Sequence, residues 1–134
     1  MLKIEHIGIA VKDLEASNEL FAKLLGKRHY KTEKVESEMV STSFFKIGDS
    51  KIELLEASGS DSAITGFVEK RGEGIHHIAF EVDDIEKEIE RLKAEGFVPT
   101  SSQKPFRGAD NKLVFFFHPK STNGVLIELC QEIK

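Results

Sequence analysis

Four side chains of kinds that bind metal ions or move protons stand out in this 134-residue chain, and they come as two matched pairs. His6 opens "HIGIAV" and Glu53 interrupts "KIELLE"; His77 opens "HIAFEV" and Glu128 interrupts "VLIELC". In each pair a single carboxylate breaks an apolar, strand-like run. An ionised carboxylate is seldom left on a buried strand unless something positive compensates it. No lysine or arginine is read as that partner in the immediate neighbourhood, so the expected partner is a divalent metal ion. Two imidazoles and two carboxylates suit Co²⁺, Ni²⁺, Zn²⁺ or Mn²⁺, and the donor types do not choose among them. An octahedral ion held this way would keep adjacent positions for water or a bidentate substrate.

The elements that must position these groups are written twice. With His6 placed on His77, Ile7 falls on Ile78, Gly8 on Ala79, Ile9 on Phe80, Val11 on Val82, Asp13 on Asp84 and Leu14 on Ile85. Gly26 meets Gly96 after a slip of one residue. Each copy begins with period-two alternation, Ile7, Ile9 and Val11 on one face and His6, Gly8 and Ala10 on the other, the mark of a half-buried strand. Asp13 or Asp84 then stands as an N-cap, apolar residues recur at helical spacing, and a glycine ends the helix. Further strands are expected at residues 28–35, 40–47 and 51–56, with a Gly48-Asp49 turn, and at 97–102, 112–117 and 125–130. Both halves therefore read βαβββ. Module one covers about residues 1–56, a linker with a short helix about 57–73, and module two about 74–134. Each half alone is too short to bury both faces of its sheet, so residues 1–134 are expected to form a single domain.

Composition sets the outer bounds. Apolar residues make up 40% and charged residues 31%, which suits a folded core rather than disorder. With 19 basic against 23 acidic residues the formal charge is −4, and no basic stripe marks a nucleic-acid footprint. The lone cysteine, Cys130, sits in an apolar run and reads as packing. The first residues carry an acidic Glu5 and no long apolar stretch, so neither a signal peptide nor a membrane span is expected and the location is read as cytoplasmic.

On "HIGIAVKDLE", "IELLE", "DSAITGFVEKRGEGIHHIAFEVDDI" and "HPKSTNGVLIEL" the chain resembles the vicinal oxygen chelate superfamily, and within it the methylmalonyl-CoA epimerases. The resemblance implies an α+β fold of two paired βαβββ modules forming a curved eight-stranded mixed sheet, with a metal site in its cleft. It also implies that His6, Glu53, His77 and Glu128 are the ligands. Acyl-CoA thioester is the implied substrate and a homodimer the implied assembly. Some epimerases carry Gln where this chain has Glu53. In one branch a glutamate on the strand before "IELLE" is a second base; Thr42 stands there, with Glu38 the nearest acid, and a threonine cannot be that base at neutral pH.

The implied reaction removes a proton from the carbon between a thioester and a carboxylate and returns it on the opposite face. Glu128 is assigned as both ligand and base, with Glu53 the candidate for the other face. Lys104, Arg107 and Lys120, in loops of the second half, are candidates for the CoA phosphates, and His118 before Pro119 either shapes its turn or lines the site. His76 alternates away from the metal face and reads as structural. Bacterial glyoxalase I has the same modules and ligand set and is the alternative enzyme; a non-catalytic binding protein of the superfamily is the alternative class.

Overall fold

The computed structural model describes residues 1–101 and 104–133. The elements run β1 (Lys3–Ala10), α1 (Leu14–Leu25), β2 (Lys31–Val35), β3 (Val40–Ile47), β4 (Ser50–Ala57), α2 (Ala63–Arg71), β5 (Gly74–Glu81), α3 (Ile85–Ala94), β6 (Phe106–Arg107), β7 (Lys112–Phe117) and β8 (Leu126–Glu132). Short 3₁₀ turns occupy Glu36–Glu38, Ala109–Asn111 and Pro119–Ser121. The chain divides into two compact units, one of His6–His76 and one of Met1–Glu5 with His77–Lys134.

In the unit of His6–His76 the strands lie in the order β2-β3-β4-β1, antiparallel except for the parallel β1–β4 pair. Gly48 takes φ 56° in the tight β3–β4 turn, a conformation glycine reaches without the Cβ clash of other residues. Asp13 caps α1 by accepting from the Ala16 N–H, and Gly26 closes it in the left-handed conformation at φ 79°. The apolar stripe of α1 packs through Leu14, Phe21, Ala22 and Leu25 on Ile9, Val11, Phe45, Ile52 and Leu54. The Leu14 N–H donates to the Glu56 carboxylate at 2.7 Å, tying the first turn of α1 to the end of β4. Strand β2 starts at Lys31 rather than at residue 28, although the Tyr30 N–H still donates to the Phe44 carbonyl at 2.9 Å.

The other unit repeats the plan in the order β5-β8-β7-β6, with β5 and β8 parallel and the remaining pairs antiparallel. Asp84 caps α3 by accepting from Lys87 N–H, and Ile85, Ile89 and Leu92 pack on Val82, Phe115, Phe117 and Leu129. Here the Ile85 N–H donates to the Gln131 side chain at 2.7 Å, the counterpart of the Leu14–Glu56 tie. The leading residues belong to this unit: Leu2 N–H donates to Glu81 O at 2.8 Å, and buried Glu5 lies 4.0 Å from the Lys112 ammonium.

One expected strand is not formed as written. After α3 there is a single bridge between Pro99 and Phe117, and the edge strand comes later as the two-residue β6. The bridge is closed by His118 N–H donating to Val98 O at 2.6 Å and Thr100 N–H donating to Phe116 O at 3.0 Å, and a polar stretch with a second proline at 105 follows it. The end of that expected strand at 102 lies outside the described residues. Among the described residues no helix is long and apolar enough to cross a membrane.

Candidate metal centre

Strand register places the two pairs in the same local frame. Gly8 of β1 stands opposite Glu53 of β4, and Phe44 of β3 opposite Glu53 from the other side. In the second unit Ala79 of β5 and Phe116 of β7 flank Glu128 of β8 in the same way. A small residue beside each carboxylate leaves room for the imidazole two positions earlier to lean over it. His6 Nδ1 lies 3.1 Å from Glu53 Oε2, and His77 Nε2 lies 3.0 Å from Glu128 Oε1. All four residues are buried, none more than 6% exposed.

These spacings suit shared coordination. Two donors bonded to one ion at about 2.1 Å and at right angles to each other lie about 3.0 Å apart. The same separation serves as a hydrogen bond when no ion is bound. His6, Glu53, His77 and Glu128 all belong to buried groups whose donor atoms can hold a metal ion, and a neutral-imidazole and carboxylate set is compatible with a divalent one.

The surroundings correct one expectation. Lys51 is buried, 5% exposed, and its Nζ lies 3.8 Å from Glu53 Oε2, the same oxygen that faces His6. A cation therefore does accompany Glu53. The signal was in the sequence: in a strand, residue 51 shares a face with residue 53, so the leading lysine of "KIELLE" had to point with the glutamate. Lys51 is also the register partner of His6, whereas the partner of His77 is Leu126.

The remaining candidates are placed as follows. Thr42 is fully enclosed, opposite Glu33 on β2 and Leu55 on β4, and its hydroxyl meets no hydrogen-bond partner among the described residues. Glu38 ends a 3₁₀ turn, where its carbonyl accepts from the Ser62 hydroxyl at 3.5 Å. His118 caps the Pro119–Ser121 turn, its Nδ1 accepting from the Lys120 N–H at 3.1 Å, so it shapes that turn. Lys104, Arg107 and Lys120 are exposed in the second unit. His76 stacks edge-on against Phe67 at 5.0 Å. Cys130 is fully buried packing.

Known proteins share both the sequence and the shape. Residues 5–117 match the Glyoxalase/Bleomycin resistance protein/Dioxygenase superfamily. The ethylmalonyl-CoA/methylmalonyl-CoA epimerase of Cereibacter sphaeroides is 41% identical over 130 residues, 96% of this chain and 97% of that protein. The mitochondrial methylmalonyl-CoA epimerase of Mus musculus is 38% identical over 96% of this chain and 72% of its own length. A variant of Streptomyces coelicolor methylmalonyl-CoA epimerase, solved in complex with 2-nitronate-propionyl-CoA, matches with TM-score 0.93 at 35% identity, over 98% of this chain and 95% of that one. The chain belongs to this superfamily and, within it, to the family of the methylmalonyl-CoA epimerases. Its fold class is the one the sequence implied, α+β with two βαβββ modules that each contribute four strands of mixed sheet.

Proposed function

We propose that the protein is an isomerase that interconverts (R)- and (S)-methylmalonyl-CoA, using a divalent ion held by His6, Glu53, His77 and Glu128. The observation that carries this reading is the repeated buried His–Glu pair, each with donors about 3 Å apart and each set in the same strand register. Family membership and the acyl-CoA ligands of its relatives support the substrate class. Bound there, the ion would supply Lewis acidity toward the thioester oxygen, worth roughly several kcal/mol to the charge that develops on it.

The chain's own groups do the proton work. Glu128 as a carboxylate takes the α-proton of one epimer while Glu53 as a carboxylic acid delivers a proton to the opposite face, and the two exchange roles in the reverse direction. His6 and His77 orient the two carboxylates through the contacts described above. Burial of all four groups keeps bulk water from competing for the proton. Lys104, Arg107 and Lys120 meet the phosphates of CoA. The working assembly is a homodimer in the cytoplasm, and the ion is one of Co²⁺, Zn²⁺, Ni²⁺ or Mn²⁺.

The test is an assay of metal-reconstituted protein with each epimer in deuterated water, following deuterium uptake and stereochemical inversion together. Metal-dependent inversion is the expected result. Turnover of the methylglyoxal–glutathione adduct alone would make the protein a glyoxalase, and inactivity on both substrates would favour a binding protein.

A further inference from the structure

Lys51 is a buried charge that the proton chemistry above does not use. The repeat puts Leu126 in its place, so a His–Glu pair in this register can be built without a lysine. Burying an ammonium carries a desolvation penalty, and this one sits 3.8 Å from an oxygen that is to bind a metal cation. Two cations sharing one carboxylate oxygen repel each other, so Lys51 weakens the hold on the ion. Such a residue helps only once another negative charge arrives.

Charge counting says what that charge is. Glu53 and Glu128 at most neutralise a divalent ion, buried Glu5 is set against the Lys112 ammonium at 4.0 Å, and Lys51 therefore leaves the loaded site with a net positive charge. A neutral chelator, such as a hydroxyketone, leaves the excess in place. A substituted malonyl half-thioester brings one carboxylate and cancels it, and loss of its α-proton puts a second negative charge on the same chelating unit. We propose that Lys51 is the specificity-determining cation of this site, selecting chelating ligands that carry a carboxylate and favouring the more negative of them. The inference rests on the metal-dependent reading above and deepens it.

The experiment uses the whole protein loaded with Co²⁺, with Lys51→Met compared with wild type at one pH. Two probes form the same chelate ring and differ by one charge: malonamate, with a carboxylate and a neutral carbonyl, and malonate, with two carboxylates. Binding is read from the visible absorption of Co²⁺, whose content is checked after each titration. Lys51→Met should bind Co²⁺ several-fold more tightly yet bind malonate about tenfold more weakly, with a smaller loss for malonamate. Opposite signs for metal and anion are the signature, because a merely structural lysine would weaken both. Lys51→Gln, read the same way, covers the case in which methionine unfolds the strand. Unchanged malonate affinity in the cobalt-loaded variants would overturn the role of Lys51 alone. Wild-type protein that takes up no Co²⁺ would overturn the reading of the site and this inference with it.

Discussion

Phe44 and Phe116 occupy the same register position beside the two site carboxylates, yet their neighbours differ. Around Phe44 stand two ammonium groups, Lys31 Nζ at 4.5 Å and Lys51 Nζ at 5.5 Å from the ring centroid. Around Phe116 stand rings, His77 edge-on at 6.0 Å and Phe106 at 6.3 Å. The same contrast appears at the helix ties, where Leu14 N–H meets the anionic Glu56 and Ile85 N–H the neutral Gln131. What the modules share is therefore what builds a strand–helix unit and presents a His–Glu pair: register, small residues and caps. What they do not share is charge, and charge is what can give two similar carboxylates different work.

The strongest way to break this comparison is to neutralise each carboxylate in turn. Glu128→Gln and Glu53→Gln should each cut deuterium exchange by at least about 10²-fold, the scale of a lost general base, but for opposite epimers. Each variant should still wash deuterium into the epimer whose proton the remaining glutamate takes, while inversion fails in both. Exchange followed separately from (R)- and (S)-substrate decides the matter. If both substitutions silence the same epimer, the two modules do not serve opposite faces and one glutamate is a ligand only.

The shared part of the modules was legible in the sequence because it is local. Asp13 and Asp84 announce the helix starts, and both carboxylates accept from the backbone three residues on, from Ala16 and Lys87. Period-two alternation put His6 and Gly8 on one face, and the duplication pointed to Glu53 and Glu128 as partners. The unshared part is legible only in places: Lys51 stands in the same short stretch as Glu53 and alternation aims it there, against the expectation that no lysine accompanies that carboxylate. The strand expected at 97–102 comes down to one bridge at Pro99, closed by Val98 O and Thr100 N–H, before the polar run toward Pro105. Glu5 is buried against Lys112, more than a hundred residues on, a pairing visible only in three dimensions.

A smaller perturbation tests whether the modules are alike where they look alike. The two N-caps have nearly the same backbone, φ −134° and ψ 103° at Asp13 against φ −136° and ψ 97° at Asp84. Asp13→Ala and Asp84→Ala should each cost about 1 kcal/mol, seen as a drop of about 3–6 °C in Tm. The two losses should agree within about 0.5 kcal/mol and add in the double variant, since the helices sit in different compact units. A much larger loss from one of them would mean that its helix depends more on its cap, and the likeness of the two starts would be superficial.

The smallest expected difference lies in the surface ion pairs. In the first unit Arg28 reaches Glu19 at 3.0 Å with both side chains largely exposed, and Arg28→Ala should leave Tm unchanged. In the second, Glu88 accepts from Arg91 and also meets the Met1 amino group at 3.4 Å. The Arg91 hydrogen bond, aided by the charges of Arg91 and the amino terminus, holds the Glu88 carboxyl below the usual 4.5, against a desolvation that raises it. A carboxylate whose folded value is depressed adds stability above its unfolded value and loses it as the pH falls through the folded one. Glu88→Gln should therefore melt about 1 °C lower than wild type at pH 6, the gap closing as the pH is taken from 4.5 downward. Melting curves of both proteins between about pH 3 and 6 give the gap directly. A gap that widens on acidification would mean that desolvation, which favours the protonated carboxyl of Glu88, outweighs the pull of both cations.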